Sequence, residues 1–425
     1  MSPESQIIQI PAELLGLSNI SIVSSSINYK KELIIVVEST AKVIPCPKCG
    51  KPTEPFGYSR PAQIRHLPVF GLKTFIEITP RRGRCSYCDD HPTTTEQPDW
   101  YERRSRNTKA YENYLMTSLI NSTIQDVSIK EDIGYHVIEK VLERHIAAEV
   151  DFRKIKKVGI LGIDEIALKK GHNDYVTIAT SRLGDTTRIL GVLEGKKKET
   201  VKEFFNKIPK RLHRSIVAVC CDLCDNYIEA ANDVFGDKVP VVADRFHVAR
   251  LYRKCLVDIR IKELKRLRKE LSEDEYRNLK DAIAILVKKK ELYTKDDLNT
   301  LKPLFKYSPA IKASCKLCLE LTTIFNTNHR KKTAENKINE WIEKVEKSNL
   351  VGFNSFIKTL KKYKNIILNY FNKRQTSGFV EGLNNKIKVI KRRCYGIFKA
   401  ESLFRRITLD LDGYNLFTDY KPLTQ

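Results

Sequence analysis

The chain has 425 residues, with 76 Lys and Arg against 52 Asp and Glu, a formal net charge of +24. At about 100–200 residues per domain that length implies two to four domains. A composition of 41% hydrophobic and 30% charged residues excludes a disordered chain.

No apolar run approaches the roughly 18 residues of a membrane-spanning helix, so no membrane partner is expected. The first residues lack the basic stretch of a secretory signal. The eleven cysteines are therefore expected to be reduced, in the cytoplasm, as metal ligands or buried side chains. The positive excess calls for a polyanion, most commonly nucleic acid.

Two alternating apolar stretches, 20–23 and 33–37, read as short strands. Cys46-Pro-Lys-Cys49-Gly follows, then a strand-like alternation over 73–84 that leads into Cys85-Ser-Tyr-Cys88. Two such knuckles suit one tetrahedral Zn²⁺, each pair of thiolates spanning an edge. Four protein ligands leave no open position, so the ion is structural. At roughly 10–16 kcal/mol it would carry most of the folding of a module over residues 1–100. His66 and His91 are alternatives for one thiolate. Cys221/Cys224 and Cys315/Cys318 repeat the spacing but read as buried cysteines, one pair at a strand end and the other in a helical stretch.

Residues 105–148, within a candidate helix-turn-helix region at 101–150, turn helical, with Tyr111, Tyr114, Leu115, Leu119 and Ile120 at helical spacing. The stretch 120–146 has the cadence of two helices about a turn near Gly134. Ser122 or Thr123 would cap the first, with Val127 and Ile129 inward; Val137, Ile138 and Val141 would face inward from the second. This fits a DNA-binding helix-turn-helix with a recognition helix from about Tyr135 to His145, and also an ordinary helical hairpin.

From residue 158 the pattern changes to strands at 158–164, 174–181 and 187–195, a helix, a strand at 215–222, a helix at 225–235 and a strand at 239–244. That is the element order of a ribonuclease-H-like core, here at 151–250, whose first and fourth strands are neighbours. The expected fold class is thus multidomain α/β, with that core behind a small zinc-binding β module and a helix-turn-helix. Asp164 and Asp222 close the first and fourth strands. Like charges there repel and resist desolvation unless cations share them. An oxygen-rich, open pocket suits Mg²⁺ or Mn²⁺, and two ions about 3.5–4 Å apart would activate an attacking oxygen and stabilise a leaving one. Glu381, in a helix capped by Ser377, is the candidate third carboxylate. Any one Asp after a strand is otherwise a turn residue. Residues 386–406 hold eight Lys/Arg and one acid, so Lys386, Lys388, Lys391, Arg392 and Arg393 are candidate phosphate contacts. A solvated helical face is the plainer reading.

Residues 46–50 with 85–88, then 162–180, 241–254 and 377–396, resemble in that order the DDE transposases of bacterial insertion sequences, specifically the ISL3 family. The resemblance spans about residues 40–410. It implies that Asp164, Asp222 and Glu381 form the catalytic, metal-binding triad. It also implies that 251–365 is a large helical insertion within the core, which resumes over 366–425. Asp244-Arg-Phe-His247 matches an Asp-x-x-His signature of several DDE groups. His247 is then a candidate catalytic donor to a phosphate or leaving oxygen, or a satisfied structural histidine; Asp244 is an alternative triad member. The resemblance further implies two Mg²⁺ (or Mn²⁺) ions and one Zn²⁺. The partners would be double-stranded DNA, as terminal inverted repeats and as target, and a second copy of the chain in a nucleoid-associated homodimer. A non-catalytic or domesticated DNA-binding derivative is the alternative, and a nuclease that cuts without joining is another.

Overall fold

The computed structural model describes residues 11–168, 175–286, 293–376, 378–394, 396 and 399–418, without the side chains at 379–381. The chain divides into two compact units, residues 1–147 with 405–425, and residues 148–404.

The first unit begins with β1 (Ile20–Ile27), β2 (Leu33–Ser39), β3 (Glu54–Tyr58), β4 (Ala62–Val69), β5 (Leu72–Ile78), β6 (Arg81–Arg84) and β7 (Thr93–Thr95). They form a four-stranded sheet, β1-β2-β5-β4, and a three-stranded sheet, β3-β6-β7. Alternation turns Leu33, Ile35 and Val37 of β2 and Ile76 and Ile78 of β5 to one face, where they bury Trp100 and Ile64. The stretch 73–84, expected as one strand, is two. Pro80, which has no N–H for a ladder, stands between β5 and β6, and the chain changes sheet there.

Helices α1 (Lys109–Leu119), α2 (Ile124–Glu131) and α3 (Tyr135–His145) enclose Tyr111, Leu115, Leu119, Val127, Ile138 and Val141. Thr108 and Thr123 cap α1 and α2 by accepting from the Tyr111 and Asp126 N–H groups. Asp132, at φ 46°, makes the left-handed turn before α3. Two inward expectations fail: Ile129 is 69% and Val137 41% exposed. The buried face of α3 is Ile138, Val141 and Leu142, an i, i+3, i+4 set that turns Val137 outward. Residues from Arg405 onward belong to this unit, not to the second as the 366–425 grouping expected. The cause is a buried pair: Arg406 donates to the Leu119 carbonyl at 2.6 Å and to Asp410 at 3.0 Å, and Asp410 accepts from the Asn121 N–H.

The second unit is built on β8 (Gly159–Ala167), β9 (Tyr175–Leu183), β10 (Thr186–Glu194), β11 (Ile216–Cys221) and β12 (Val241–Ala243), in the order β10-β9-β8-β11-β12. The β10-β9-β8 pairs are antiparallel, and β8-β11-β12 parallel. Between and after these strands run α4 (Lys198–Lys207), α5 (Lys210–His213), α6 (Asp225–Phe235) and α7 (Arg245–Glu270). One sheet face, with Leu161, Ile163, Val219 and Cys221, packs on Phe204 and Phe205 of α4 and Tyr227 of α6. The other face carries Ala218, Cys220 and Val242. Neighbouring cysteines 220 and 221 thus enter opposite cores, as strand alternation dictates.

The stretch 251–365 is helical, as expected: the rest of α7, α8 (Glu273–Arg277), α9 (Lys280–Ile285), α10 (Lys295–Tyr307), α11 (Pro309–Asn326), α12 (Lys331–Lys347) and α13 (Asn354–Lys362). α14 (Lys364–Leu368) and α15 (Tyr370–Lys373) follow. Tyr252, Leu321, Trp341, Phe356, Ile367 and Tyr370 from these helices cover the second sheet face. Leu267, Leu279, Leu301, Leu304 and their neighbours form a separate core. α16 (Gly378–Arg393) follows, and then α17 (Ala400–Phe417), whose residues from Arg405 belong to the first unit. Among the described residues no helix is long and apolar enough to cross a membrane.

Candidate metal centres

Cys46 and Cys49 lie in the turn before β3, and Cys85 and Cys88 follow β6. Their four sulfurs lie within 4.8 Å of one another, with Cys46–Cys88 at 4.0 Å and Cys49–Cys85 at 3.7 Å. A tetrahedron with Zn–S of about 2.3 Å has an edge of about 3.8 Å, so the sulfurs fit that ion. The Lys48 N–H points at Cys46 Sγ (3.4 Å) and the Tyr87 N–H at Cys85 Sγ (3.3 Å), the same device in each knuckle. Backbone N–H donors, that of Cys49 foremost, bring the Cys46 thiol down to about 7. Neither histidine joins the four: His91 Nδ1 bonds the Cys85 carbonyl at 3.0 Å, and the buried His66 bonds Thr108 Oγ1 at 3.0 Å.

The second cluster arises from strand pairing. Cys221 of β11 stands opposite Ile163 of β8, so Asp222 and Asp164 emerge at the same level. Asp244 follows β12 and caps α7 by accepting from the Phe246 N–H at 2.8 Å, which sets His247 in the first turn. Asp164, Asp222 and His247 present ligand atoms within 4.8 Å of one another. His247 Nδ1 is 2.8 Å from Asp222 Oδ2. Asp164 Oδ1 accepts from the Glu165 N–H at 2.7 Å, and Asn384 of α16 donates through Nδ2 to Oδ2.

Burial, then repulsion from Asp222, pushes the Asp164 carboxyl up to about 6. The bond that His247 donates to Asp222 raises the imidazole pKa above its ordinary value. Two crowded carboxylates with an imidazole beside them fit a divalent cation by donor chemistry. A raised carboxyl pKa means that a cation must displace a proton below it. Cation affinity is therefore expected to fall as pH drops through about 6, a trend that calorimetric Mn²⁺ titration between pH 5 and 8 would read.

Other sequence candidates sort plainly. Burial pushes the Cys221 thiol well above its usual range, and Cys315 and Cys318 are buried in α11. Asp225, a carboxylate at the start of α6 and no sequence candidate, pairs with Lys362 at 2.6 Å and accepts from the Tyr363 hydroxyl at 2.8 Å. Ser377 lies outside the described residues, as does the Glu381 side chain. Lys386, Lys388 and Arg392 are exposed on α16, and Arg393 is half-buried. Lys391 turns inward: Nζ donates to the carbonyls of Ala167 (2.6 Å) and Leu168 (2.9 Å), at the end of the strand bearing Asp164. Burial lowers its pKa.

Asn384 and Lys391 together fasten α16 along β8, a role read for neither from sequence. The buried spacing Asn384, Ile387, Ile390 was the signal that could have shown it. Lys391→Met is accordingly expected to weaken cation binding at Asp164 several-fold while leaving the salt slope of DNA binding within about 0.5 of the wild type, where loss of a phosphate contact would lower it by about 0.9.

Residues 161–407 match the ISL3 family of DDE transposases, and residues 42–88 match the zinc-finger of transposases IS204/IS1001/IS1096/IS1165. The chain belongs to the ISL3 transposase family, whose zinc ribbon contains the four-cysteine cluster. Among curated relatives, the transposase for insertion sequence element IS1001 of Bordetella parapertussis is 27% identical over 384 residues, 90% of this chain and 92% of its own. The transposase for IS1557 of Mycobacterium tuberculosis is 21% identical over 394 residues, 87% of this chain and 86% of its own.

Proposed function

We propose that the protein cuts DNA at the ends of its insertion sequence and joins the freed 3′-OH to target DNA, through a ribonuclease-H-like core bearing a DDE triad. One observation carries this reading: Asp164 and Asp222 meet at the ends of parallel neighbours β8 and β11, and Asn384 ties α16 to Asp164. Glu381 precedes Asn384 by three residues in the same helix. It supplies the third carboxylate.

Divalent cations held by the triad supply Lewis-acid activation of the attacking and leaving oxygens. In the first step water attacks the phosphorus at the element border, and the element's O3′ leaves as a hydroxyl. In the second that hydroxyl attacks a target phosphodiester and releases a target 3′-OH. No covalent enzyme intermediate is needed. His247, oriented by Asp222, donates a proton to the leaving oxygen or a hydrogen bond to the phosphate. Lys386, Lys388 and Arg392 hold the backbone, α2 and α3 serve as the helix-turn-helix, and two protomers bring two ends together.

The test uses a duplex from the flanks of the gene, incubated with full-length protein in Mg²⁺ or Mn²⁺, with nicks and joined strands mapped. Glu381→Gln should abolish cleavage and leave end binding within about 3-fold of the wild type, since only one distal carboxylate changes. Equal loss of cutting and binding would remove Glu381 from the triad. Repeat binding without any cutting by the wild type would favour the domesticated reading.

A further inference from the structure

The first unit contains a groove of about 1140 Å³ walled by Arg60, Arg65, Arg103, Arg104 and Arg106, with Ile133 and Val137 at the start of α3. Its two acids are already neutralised: Glu96 by Arg81 at 2.9 Å, and Asp132 by Lys73. The five arginines form no ion pair among the described residues.

Arg65 is the telling one. It is only 8% exposed, its guanidinium lies 5.1 Å from the Phe75 ring and 5.3 Å from that of Tyr111, and its buried Nε has no hydrogen-bond partner. Two rings attract a cation, but the buried Nε donor is left unmet, which is unfavourable unless another acceptor reaches it. The backbone of the same residue anchors the basic turn beside it. Arg65 N–H donates to the Arg106 carbonyl at 2.7 Å, and Thr108 N–H to the Arg65 carbonyl at 2.8 Å. Arg104 sits at φ 71° in a turn closed by Ser105 N–H on the Glu102 carbonyl. Backbone bonds therefore hold this turn, and Arg103, Arg104 and Arg106 remain exposed and uncommitted.

Five guanidinium groups that pair with no carboxylate among the described residues repel one another unless an anion joins them, and their planar donors match phosphate oxygens in pairs. Their charge exceeds that of a single phosphate. We propose that this groove seats a run of phosphodiesters from the DNA duplex, on the backbone flanking the bases that α3 meets. This rests on the transposase reading above. Because Ile133 and Val137 line the groove, a strand seated there passes the first turn of α3, where Tyr135 and Val137 are exposed. Contacts of this kind fix register on the duplex while base contacts specify.

The experiment titrates full-length protein against a labelled duplex from the gene's flank, and an unrelated duplex of equal length, from 50 to 300 mM salt. Arg103→Ala/Arg104→Ala/Arg106→Ala should lower affinity on the order of 100-fold at 0.1 M salt and reduce the slope by about 2.7, alike on both duplexes. Arg65→Met keeps the apolar stem between the rings and should reduce the slope by about 0.9, with zinc content unchanged as the check on folding. An unchanged slope in both variants, beside a wild type that binds and cuts, would overturn the groove and leave the transposase reading standing. A slope lowered only by Lys386→Ala/Lys388→Ala would do the same. A wild type that binds neither duplex would overturn both.

Discussion

Asp222→Asn is expected to lower strand cleavage by about 10³-fold or more, because a lost cation ligand removes several kcal/mol of stabilisation from the developing oxyanions. The geometry also fixes what else changes. Asp222 is the second-largest cause of the raised Asp164 carboxyl and the first cause of the raised His247 imidazole. In the variant both should titrate lower, Asp164 toward the carboxylate range and His247 toward or below ordinary imidazole. His247 therefore carries a stability sign. Its folded pKa lies above the unfolded one, so the pair with Asp222 contributes fully below the unfolded value and is lost as pH rises through the folded value. Thermal unfolding of the metal-free wild type should show that loss, and Asp222→Asn should not. Histidine resonances followed by NMR would assign it. If cleavage survives in Asp222→Asn while the His247 titration shifts as described, the pair is a structural link and Asp222 is no catalytic ligand.

Asp222 was legible in the sequence because a strand end is a local feature: apolar alternation stops and a charged residue follows. The same logic exposed Asp164, and the paired Cys-x-x-Cys knuckles announced themselves by repetition. What escaped required contacts between distant segments. Lys391 reads as one more cation in a basic helix, yet its ammonium spans 223 residues of sequence to cap the carbonyl of Leu168. Asn384 has no charge to draw notice, and its importance is that it reaches Asp164. The helical stretch after α7 looks like an insertion in one dimension, but Leu321, Trp341 and Ile367 cover a sheet face that would otherwise be bare. Arg65 sits in a strand where a single cation is unremarked until Phe75 and Tyr111 close around it and bury it. Small errors were geometric too. Ile129 and Val137 are apolar at plausible helical positions, and only the crossing of α2 and α3 decides which side of each helix is covered.

Cys46→Ser is expected to cost the zinc ribbon its fold and to weaken the full-length protein's binding to the element ends, with cation binding at Asp164 and Asp222 preserved. The small sheet around the knuckles has little else to hold it. Every residue of β3 is exposed, and β7 is three residues long with only Thr94 half-buried. A hydrophobic face of that size supplies far less than the roughly 10–16 kcal/mol of a structural zinc site. The neighbouring four-stranded sheet has its own core of Leu33, Ile35, Val37, Ile76 and Ile78, so the damage should stop at the β5–β6 boundary near Pro80. Hydrogen exchange would then show protection lost over 44–58 and 81–95 and kept over 33–39. Wild-type protein should carry one zinc per chain, released by chelation with the same local pattern. A variant that still holds one zinc with β3 and β6 protected would place the ion on other ligands. The separation of effects follows from ligand sets that share no residue: four thiolates at one centre, two carboxylates and an imidazole at the other. Losing the first should weaken end recognition, and losing the second should abolish only the chemistry.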